Sequence, residues 1–359
     1  MKIIMFAGGT GKRFWPASRK QSPKQFLSVI GDKPLIGLKY DYLRLGFNPQ
    51  DIYLSTGEQY NGEVQNLLPE MPSENFIFEP EMRDNGPAAL YAVLYIARHN
   101  LDEVISIQWS DHFIKKPEVF VKALVEAEKL VLSEGKAVIM GVPPRFPSPH
   151  RGYIKYGKKI KSLDSKTELM LCEFIRFVEK PSAEVAKEYV QSGDYSWNPA
   201  YFVATGRQIV EKYKTFAPEM YEEINAIATN NFDDHSKLRY KNVEKIGFDY
   251  IFSENLSPDE ALVVNVDMGW SDVGEWVALK ETLETNNDEN VIQGHVVDLG
   301  SKDCLIYNYD DTKLISTIDL NGMVVVCTKD VVAIFNKDDN GKLKEYLNKL
   351  EDNGLSSYH

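Results

Sequence analysis

The first 142 residues alternate short apolar strands with helical segments, and this alternation limits the possible folds more than any other feature of the sequence. The predicted strands lie at 3–7, 51–55, 75–78, 104–109 and 137–142, and the predicted helices at 34–47, 60–68, 86–99 and 117–133. Such alternation favours a mostly parallel sheet with helices on both faces. We therefore predict an α/β fold with a Rossmann-like, mostly parallel mixed sheet flanked by helices.

The pattern changes at residue 143, and a polar stretch at 286–290 is typical of a linker. Residue 143 begins a proline-rich loop. It is followed by predicted strands at 152–156, 173–179 and 200–204 and a helix at 182–191, and we interpret this stretch as an insertion over one side of a cleft. The remaining predicted elements are helices at 206–229, 243–254 and 273–283 and a strand at 261–266. Beyond the linker, strands are predicted at 291–297, 304–307, 314–318, 323–327 and 331–335, before a helix at 341–350. We predict a main domain at 1–285 and a small β-rich domain at 290–359, for which a β-helix is one candidate.

A glycine-rich loop follows the first strand. Gly8, Gly9 and Gly11 surround Thr10, and glycine lets backbone N–H groups come close to a ligand and form an anion-binding nest. Five cations follow, namely Lys12, Arg13, Arg19, Lys20 and Lys24. This order predicts a polyphosphate site, and a tight turn with a solvated basic flank is the alternative.

Two common phosphate-binding motifs are excluded. A Walker loop needs a glycine where this chain has Phe6 and a Ser or Thr where it has Arg13. A dinucleotide fingerprint needs a third glycine where Phe14 stands. The loop is therefore neither a Walker loop nor a dinucleotide fingerprint, and the choice between a phosphate site and a tight turn stays open.

Composition narrows the possible partners. The 359 residues carry a net charge of −12, which argues against binding nucleic acid or an anionic membrane across the surface. The three cysteines, Cys172, Cys304 and Cys327, lie far apart in the sequence and outside any metal-ligand spacing, which favours the reducing cytoplasm. No apolar run reaches the length of a membrane span.

Candidate ligand-binding residues lie at predicted strand ends, where ligands bind in sheets of this type. Asp111 and Asp272 each follow an apolar strand, and two such carboxylates suit Mg²⁺ beside nucleotide phosphates. The alternative for Asp111 is a turn cap, and for Asp272 the N-cap of the helix predicted at 273–283. Arg13 and Lys24 are candidates to neutralise phosphate oxygens, or else are surface cations.

A second group of residues suits a sugar phosphate. Glu179 and Lys180 stand together at a strand end and can hold a sugar hydroxyl and a phosphate respectively, although a simple turn at Pro181 is the alternative. Asn198 both donates and accepts hydrogen bonds, and Gly152 allows close approach of the backbone. No Ser-His-Asp or Cys-His arrangement is evident, so covalent catalysis is not indicated.

Together these segments resemble the mannose-1-phosphate guanylyltransferase family of sugar nucleotidyltransferases, in its monofunctional bacterial form. The resemblance covers about residues 1–285, and the C-terminal part resembles the short tail of that form. The motifs are FAGGTGKRFWPASRKQSPKQF (6–26), SDHFI (110–114), RGYI (151–154), FVEKP (177–181), WN (197–198), FDY (248–250) and WSDVGEW (270–276).

The resemblance implies that GTP and mannose 1-phosphate give GDP-mannose and pyrophosphate, by direct in-line attack with Mg²⁺. It implies that Asp111 and Asp272 hold the metal, and that they act with Arg13, Lys24 and Lys180 in catalysis. The implied nucleotide-binding residues are Ala7, Gly8, Gly9, Thr10, Gly11, Arg13, Lys24, Glu79, Asn85 and Ser110. The implied sugar-phosphate-binding residues are Gly152, Tyr153, Glu179, Lys180 and Asn198. A homodimer is expected, with the β-rich region serving packing or dimerisation.

The sequence departs from the family pattern at two places. Asn85-Gly86-Pro87 replaces a Thr-Ala-Pro segment, and Pro199-Ala200 replaces a segment with glycine after the Trp-Asn pair. The first change concerns the base and the second the sugar. Two alternatives therefore stay open: the same transfer to another sugar 1-phosphate or from another nucleotide, and a non-catalytic regulatory homologue that binds GDP-mannose.

Overall fold

The computed structural model describes residues 1–9, 12–19 and 23–358, without the side chain of Lys12. The chain divides into two compact units. Unit 1 comprises 1–8, 40–110 and 114–270, and unit 2 comprises 9–39, 111–113 and 271–359. Unit 2 thus combines the segment after the first strand with the C-terminal region, whereas the domain division at 285–290 stays a prediction from the sequence.

Both units contain several strands. In chain order they are β1 (Lys2–Phe6), β2 (Ile52–Gly57), β3 (Phe76–Glu79), β4 (Val104–Trp109), β5 (Phe113–Ile114), β6 (Ala137–Gly141), β7 (Tyr153–Asp164), β8 (Leu169–Val178), β9 (Tyr195–Trp197), β10 (Phe202–Thr205), β11 (Ala261–Asn265), β12 (Trp270–Ser271), β13 (Val291–Gln293), β14 (Val296–Leu299), β15 (Leu305–Asn308), β16 (Ile315–Ile318), β17 (Met323–Cys327) and β18 (Val332–Asn336).

The α-helices lie mostly between strands of unit 1. They are α1 (Leu35–Arg44), α2 (Asn61–Leu67), α3 (Asn85–Ala97), α4 (Pro117–Glu134), α5 (Ala183–Ser192), α6 (Gly206–Phe216), α7 (Pro218–Thr229), α8 (Asp234–Lys237), α9 (Phe248–Ile251), α10 (Trp276–Leu283) and α11 (Leu343–Asp352).

Ten of the described strands form one large mixed sheet in unit 1, in the order β3-β2-β1-β4-β10-β6-β11-β8-β7-β9. The neighbours β3, β2, β1 and β4 pair in parallel, as do β6 and β11, while β10 runs antiparallel between β4 and β6. Helix α3 packs on β3, α4 on β4 and β6, and α6 on β10. The predicted large sheet with flanking helices is confirmed.

The strands within 143–205 belong to this sheet rather than to a separate insertion. Strands β8, β7 and β9 continue it in antiparallel pairing beyond β11, and β10 lies near its middle. Trp197 at the end of β9 also exchanges two backbone hydrogen bonds with Val142, of 2.8 and 3.1 Å, just after β6. The expectation of an insertion over a cleft was therefore wrong for these strands.

Unit 2 is built on a β-rich core. Strands β13, β15 and β17 pair in parallel, β18 closes this sheet in antiparallel pairing, and β14 pairs in parallel with β16. The ring of Phe14 lies 4.8 Å from that of Trp276, and Trp276 lies 5.6 Å from Tyr307. The Trp276 indole also donates to the carbonyl of Trp15 at 2.9 Å. These contacts anchor the segment after the glycine loop to α10 and to the C-terminal strands.

Three of the differences from the predicted element boundaries have a clear local reason. The strand expected at 291–297 is divided because Gly294 has φ +83° and its Cα faces the carbonyl of Asn308, where a Cβ would approach to 2.2 Å. The helix expected at 206–229 is two helices, because Pro218 begins a new one. The helix expected from 273 begins at Trp276, because Val273 has φ +39°.

Within residues 1–9, 12–19 and 23–358, none of the helices combines the length and the apolar character needed to cross a membrane.

Candidate active site

The carboxyl ends of β1 and β4 are joined by hydrogen bonds in unit 1. The Ser110 hydroxyl donates to the carbonyl of Phe6 at 2.8 Å, and the Thr56 hydroxyl donates to the carbonyl of Ala7 at 2.8 Å. Gly8 ends this strand segment, and Gly9 takes φ +94°, a conformation that favours glycine. The fold thus fixes the start of the loop, whereas Thr10 and Gly11 lie outside the described residues.

Lys24 is the centre of the predicted phosphate and metal group, which lies in unit 2. Its side chain is only 7% exposed, and its ammonium lies 2.9 Å from the Asp111 carboxylate. It also donates to the backbone carbonyls of Asp272 and Val273, at 3.1 and 2.9 Å. An ammonium has three N–H donors, and each has an acceptor here. Lys24 therefore holds together the two segments that carry the predicted metal ligands.

The charge of Asp111 follows from this contact. Burial alone would raise the pKa of Asp111, but the charges of Lys24 and His112 and the hydrogen bond from Lys24 lower it to about 2. Burial also lowers the pKa of His112 to about 4, although Asp111 opposes this change. At neutral pH Asp111 is ionised and His112 is neutral. His112 is thus a neighbour of the carboxylate rather than a cation.

Arg13 and Asp272 both lie beside Gly274 in unit 2. A Cβ built on Gly274 would come within 3.2 Å of the Arg13 guanidinium and 3.7 Å of the Asp272 carboxylate. The absence of a side chain at Gly274 therefore leaves room for both charged groups. Asp272 is not a helix N-cap, because α10 begins at Trp276 with Glu275 in that position.

The donor set around Asp111 fits a divalent metal ion. No three or more His, Cys, Asp or Glu side chains among the described residues are grouped closely enough to form a protein-only metal site. Mg²⁺ usually takes one or two carboxylates and completes its shell with water and substrate phosphates. Lys24 uses one of about four lone-pair directions of the Asp111 carboxylate, which leaves oxygen donors available.

Lys39 lies in the same electrostatic environment and was not found by sequence reasoning. Its side chain on α1 is fully buried, and burial lowers its pKa well below the ordinary value while Asp111 raises it. The helical periodicity of α1 could have identified Lys39 as an inward-facing residue. Leu35 and Leu43 are both buried, so a residue four positions from each faces inward as well.

Glu79 ends β3 in unit 1 and is almost fully buried. The Tyr240 hydroxyl donates to its carboxylate at 2.9 Å, and the Ser55 hydroxyl lies at 3.5 Å. Burial raises the pKa of Glu79 to about 7, although these two hydrogen bonds lower it. A carboxyl of this kind exchanges its proton near neutral pH. The sequence indicated Glu79 but not Tyr240, which is distant along the chain.

Asn85, the other predicted base contact, begins α3. Its side-chain oxygen accepts from the backbone N–H of Phe248 at 2.7 Å. Asn85 therefore joins the start of α3 to the start of α9 within unit 1. Its contact with guanine stays a prediction.

The predicted sugar-binding residues come together in unit 1. A Cβ on Gly152 would lie 2.6 Å from the Glu179 carboxylate and 2.9 Å from the Phe177 ring, so a larger residue at this position would displace these side chains. The backbone N–H of Asn198 donates to the carbonyl of Gly152 at 2.9 Å. The pairing of β7 with β8 and β9 produces this arrangement, since Tyr153 lies opposite both Val178 and Trp197.

Lys180 carries an exposed charge next to this group. Its ammonium lies 2.8 Å from Glu179, and their hydrogen bond raises the pKa of Lys180. Lys180 has φ +45°, a strained conformation for a residue with a side chain. The Tyr153 hydroxyl instead bonds the backbone of Ser148, at 2.9 and 3.1 Å, and so fixes the preceding loop.

Arg151 supports the same loop through aromatic rings. Its guanidinium lies 4.0 Å from the ring centre of Trp197, 5.1 Å from Trp270 and 5.2 Å from Phe146. Cation–π contacts of this kind hold the residue before Gly152 against the residue before Asn198. The sequence showed the motif but not this packing.

Comparison with known proteins identifies the family of this chain. The nucleotidyl transferase family model matches residues 2–289, and the model of the mannose-phosphate isomerase/GMP-like beta-helix domain matches residues 294–350. The chain is a nucleotidyltransferase of the mannose-1-phosphate guanylyltransferase family. A mannose-1-phosphate guanylyltransferase of Klebsiella pneumoniae is 32% identical over 99% of this chain and 75% of its own length.

Two further members give the same result. A mannose-1-phosphate guanylyltransferase of Escherichia coli is 31% identical over 99% of this chain and 75% of its own length. The crystal structure described as mannose-1-phosphate geranyltransferase from Thermus thermophilus has a TM-score of 0.86 and 26% identity, and the match covers 98% of this chain and 99% of that one. The sequence prediction of family, and of a β-rich C-terminal region, is confirmed.

The buried Glu79 gives a test of the site's electrostatics. Because its pKa is about 7 in the folded chain, against an ordinary 4.5, the folded chain binds more protons than the unfolded chain between these values. Glu79 should therefore contribute a fall of about 3 kcal/mol to the free energy of unfolding as the pH rises through this window. We expect Glu79→Gln to remove that fall in denaturant titrations between pH 4.5 and 8.

Glu222→Gln is the control, since Glu222 is an exposed acid on α7. It should keep the wild-type dependence of stability on pH. The same dependence in Glu79→Gln as in the wild type would show that Glu79 does not bind a proton on folding.

Proposed function

We propose that this nucleotidyltransferase transfers GMP from GTP to α-D-mannose 1-phosphate, giving GDP-mannose and pyrophosphate. The observation that carries the proposal is the grouping of Gly152, Glu179 and Asn198 beside the exposed ammonium of Lys180. A carboxylate and an amide suit sugar hydroxyls, and an ammonium suits the attached phosphate. The names of the curated relatives point to the same substrates.

The proposed reaction needs no protein nucleophile. A phosphate oxygen of mannose 1-phosphate attacks the α-phosphorus of GTP, a new P–O bond forms, and the bond from that phosphorus to the pyrophosphate oxygen breaks. Since the attacking phosphate is already ionised, the chain contributes position and charge. Lys180 orients the attacking phosphate, and Arg13 neutralises charge on the departing pyrophosphate. The loop from Ala7 to Gly11 supplies backbone donors to the GTP phosphates.

In this proposal Lys24 has a positioning role: it binds Asp111 and the backbone of residues 272–273. Its three N–H donors already meet protein acceptors, so it keeps Asp111 ionised and the two carboxylate segments adjacent. Direct contact of Lys24 with pyrophosphate, as the resemblance implies, requires it to exchange one of these acceptors. Asp111 and Asp272 would hold Mg²⁺, which neutralises phosphate charge when bound.

The guanine base is assigned to Glu79, with Asn85 nearby in sequence. An ionised carboxylate accepts the two N–H groups on the Watson–Crick edge of guanine, which adenine does not offer in that arrangement. Glu79 lies at the end of β3, and the hydroxyl of Tyr240 fixes its orientation. These contacts support GTP as the nucleotide.

A substrate panel tests the proposed function. The protein is incubated with each of GTP, ATP, UTP and CTP and with mannose, glucose or galactose 1-phosphate, and the released pyrophosphate is measured. GTP with mannose 1-phosphate should give the fastest release, and omission of divalent metal should abolish it. A different preferred pair would move the assignment to another sugar nucleotidyltransferase. No release with any pair would favour the regulatory homologue.

Asp111→Asn tests the metal and catalytic role. Loss of the carboxylate charge should lower turnover at saturating GTP by about 100-fold or more, while GTP still binds in a fluorescence titration. Asp234→Asn is the matched control, because Asp234 is a fully exposed aspartate. Unchanged Mg²⁺-dependent turnover in Asp111→Asn would remove Asp111 from the metal site.

A homodimer is part of the same proposal. Strands β14 and β16 carry outward-facing apolar side chains, since Val297, Leu299 and Ile318 are each more than half exposed and Leu299 lies opposite Ile318. Each copy has a net charge of −12, so two copies repel one another unless they meet at an uncharged face. We assign this face to contact with a second copy of the chain.

Leu299→Asp tests the dimer. Two copies would each place a carboxylate in the contact, so the mass in solution, measured by light scattering, should fall from that of a dimer to that of a monomer. Leu132→Asp is the control, because Leu132 on α4 is as exposed as Leu299 and lies in unit 1. A dimer that persists in Leu299→Asp, or a monomeric wild type, would contradict the proposal.

A further inference from the structure

The side-chain amide of Asn198 is held from both ends. Its oxygen accepts from the backbone N–H of Ala200 at 2.9 Å, and its nitrogen donates to the Asp249 carboxylate at 3.3 Å. The reverse orientation would place the amide nitrogen against an N–H donor and the oxygen against a carboxylate. Only one orientation therefore satisfies both contacts. That orientation leaves one N–H and one oxygen lone pair of Asn198 for a ligand.

The backbone after Asn198 is strained in this arrangement. Ala200 has φ +56°, a left-handed conformation that a residue with a side chain adopts only at a cost of about 1 kcal/mol. The Ala200 N–H is one of the two groups that fix the Asn198 side chain, so the strained turn helps to set the orientation of the Asn198 amide. Strain of this kind persists where surrounding contacts impose it.

Asp249 is itself fixed within unit 1. It lies on α9, and the same carboxylate oxygen that accepts from Asn198 accepts from the Ser253 hydroxyl at 2.8 Å. The backbone N–H of the preceding Phe248 donates to Asn85, and the Phe248 side chain is fully buried. Asp249 therefore contacts Asn198 from α9, a helix whose start is fixed by the contacts of Phe248.

The charges near Asp249 belong to the sugar-binding group. Burial, together with the Glu179 charge, raises the pKa of Asp249 to about 6, although Ser253, Asn198 and Lys180 act to lower it. Glu179 and Lys180 are therefore close enough to influence Asp249 electrostatically. Asn198, Glu179 and Lys180 already form the proposed sugar-phosphate site, and Asp249 lies behind Asn198 in the same group.

We propose that Asp249 is a positioning residue for sugar recognition, which fixes the Asn198 amide so that its free N–H and lone pair meet adjacent hydroxyls of the hexose ring. This inference rests on the proposed function, because it concerns the sugar phosphate that this site accepts. Asp249 itself need not touch the sugar. Its contribution is to remove the amide orientation that would present the wrong groups to those hydroxyls.

The experiment is a double-mutant cycle on Asp249 and Asn198, with KM measured separately for mannose 1-phosphate and for GTP. Asp249→Ala should raise KM for mannose 1-phosphate about fivefold and leave KM for GTP within about twofold, since one fixed hydrogen bond is worth about 1 kcal/mol. Asp249→Asn should restore the wild-type value, because its amide oxygen accepts from both Asn198 and Ser253. The Asn198→Ala variant should not be weakened further by Asp249→Ala.

Asp234→Ala is the control for loss of an acid, since Asp234 is fully exposed. If Asp249→Ala does not fold, judged by circular dichroism, Asp249→Leu replaces it and should give the same selective rise in KM. Equal rises in both KM values, full additivity with Asn198→Ala, or no rescue by Asp249→Asn would overturn the proposal.

Failure of the proposed function has a different signature. If the proposed function is wrong, the wild-type protein releases no pyrophosphate with GTP and mannose 1-phosphate. If the wild type prefers another sugar 1-phosphate, the same cycle is measured with that substrate, and coupling of Asp249 to Asn198 still supports the inference. Inactivity with every sugar 1-phosphate overturns both.

Discussion

The predicted phosphate and metal group around Asp111 and Asp272 depends on the contacts of the buried Lys24 ammonium. A buried charge is costly unless it is paired and its donors are satisfied. Lys24 meets this condition with the carboxylate of Asp111 and the carbonyls of Asp272 and Val273. Two segments that are distant in sequence, at 111 and at 272–273, are thereby fixed to one amine. Removal of that amine would leave Asp111 without the partner that lowers its pKa.

The strained backbone at Val273 is also explained by the contact with Lys24. A β-branched residue with φ +39° is a clear outlier, and it delays the start of α10 to Trp276. The conformation turns the Val273 carbonyl toward Lys24, while the Ser271 hydroxyl accepts from the Val273 N–H at 3.2 Å. Favourable hydrogen bonds thus offset a strained backbone, and the result is an Asp272 that is not used as a helix cap.

The sequence was sufficient for the parts of the fold that follow local rules. The parallel strands, the family and most of the candidate residues follow from apolar runs, glycines and motif order, and β4 has the predicted bounds of 104–109. Tyr240 was missed, and Asp249 was noted only as part of the FDY motif, because their roles depend on contacts with Glu79 and Asn198, which no local pattern encodes. Gly294 was missed because its effect depends on the neighbouring strand.

Two carboxyl groups of this chain show how the environment separates chemical roles. Lys24 and His112 keep Asp111 ionised down to about pH 2, as a metal ligand requires. Burial instead keeps Glu79 partly protonated near pH 7, and the hydroxyls of Tyr240 and Ser55 lie at its oxygens. A base that offers two N–H groups would replace part of the lost solvation and favour the ionised form of Glu79. Under the proposed function, nucleotide binding would therefore be linked to proton release at Glu79, whereas Asp111 is already charged before any ligand arrives.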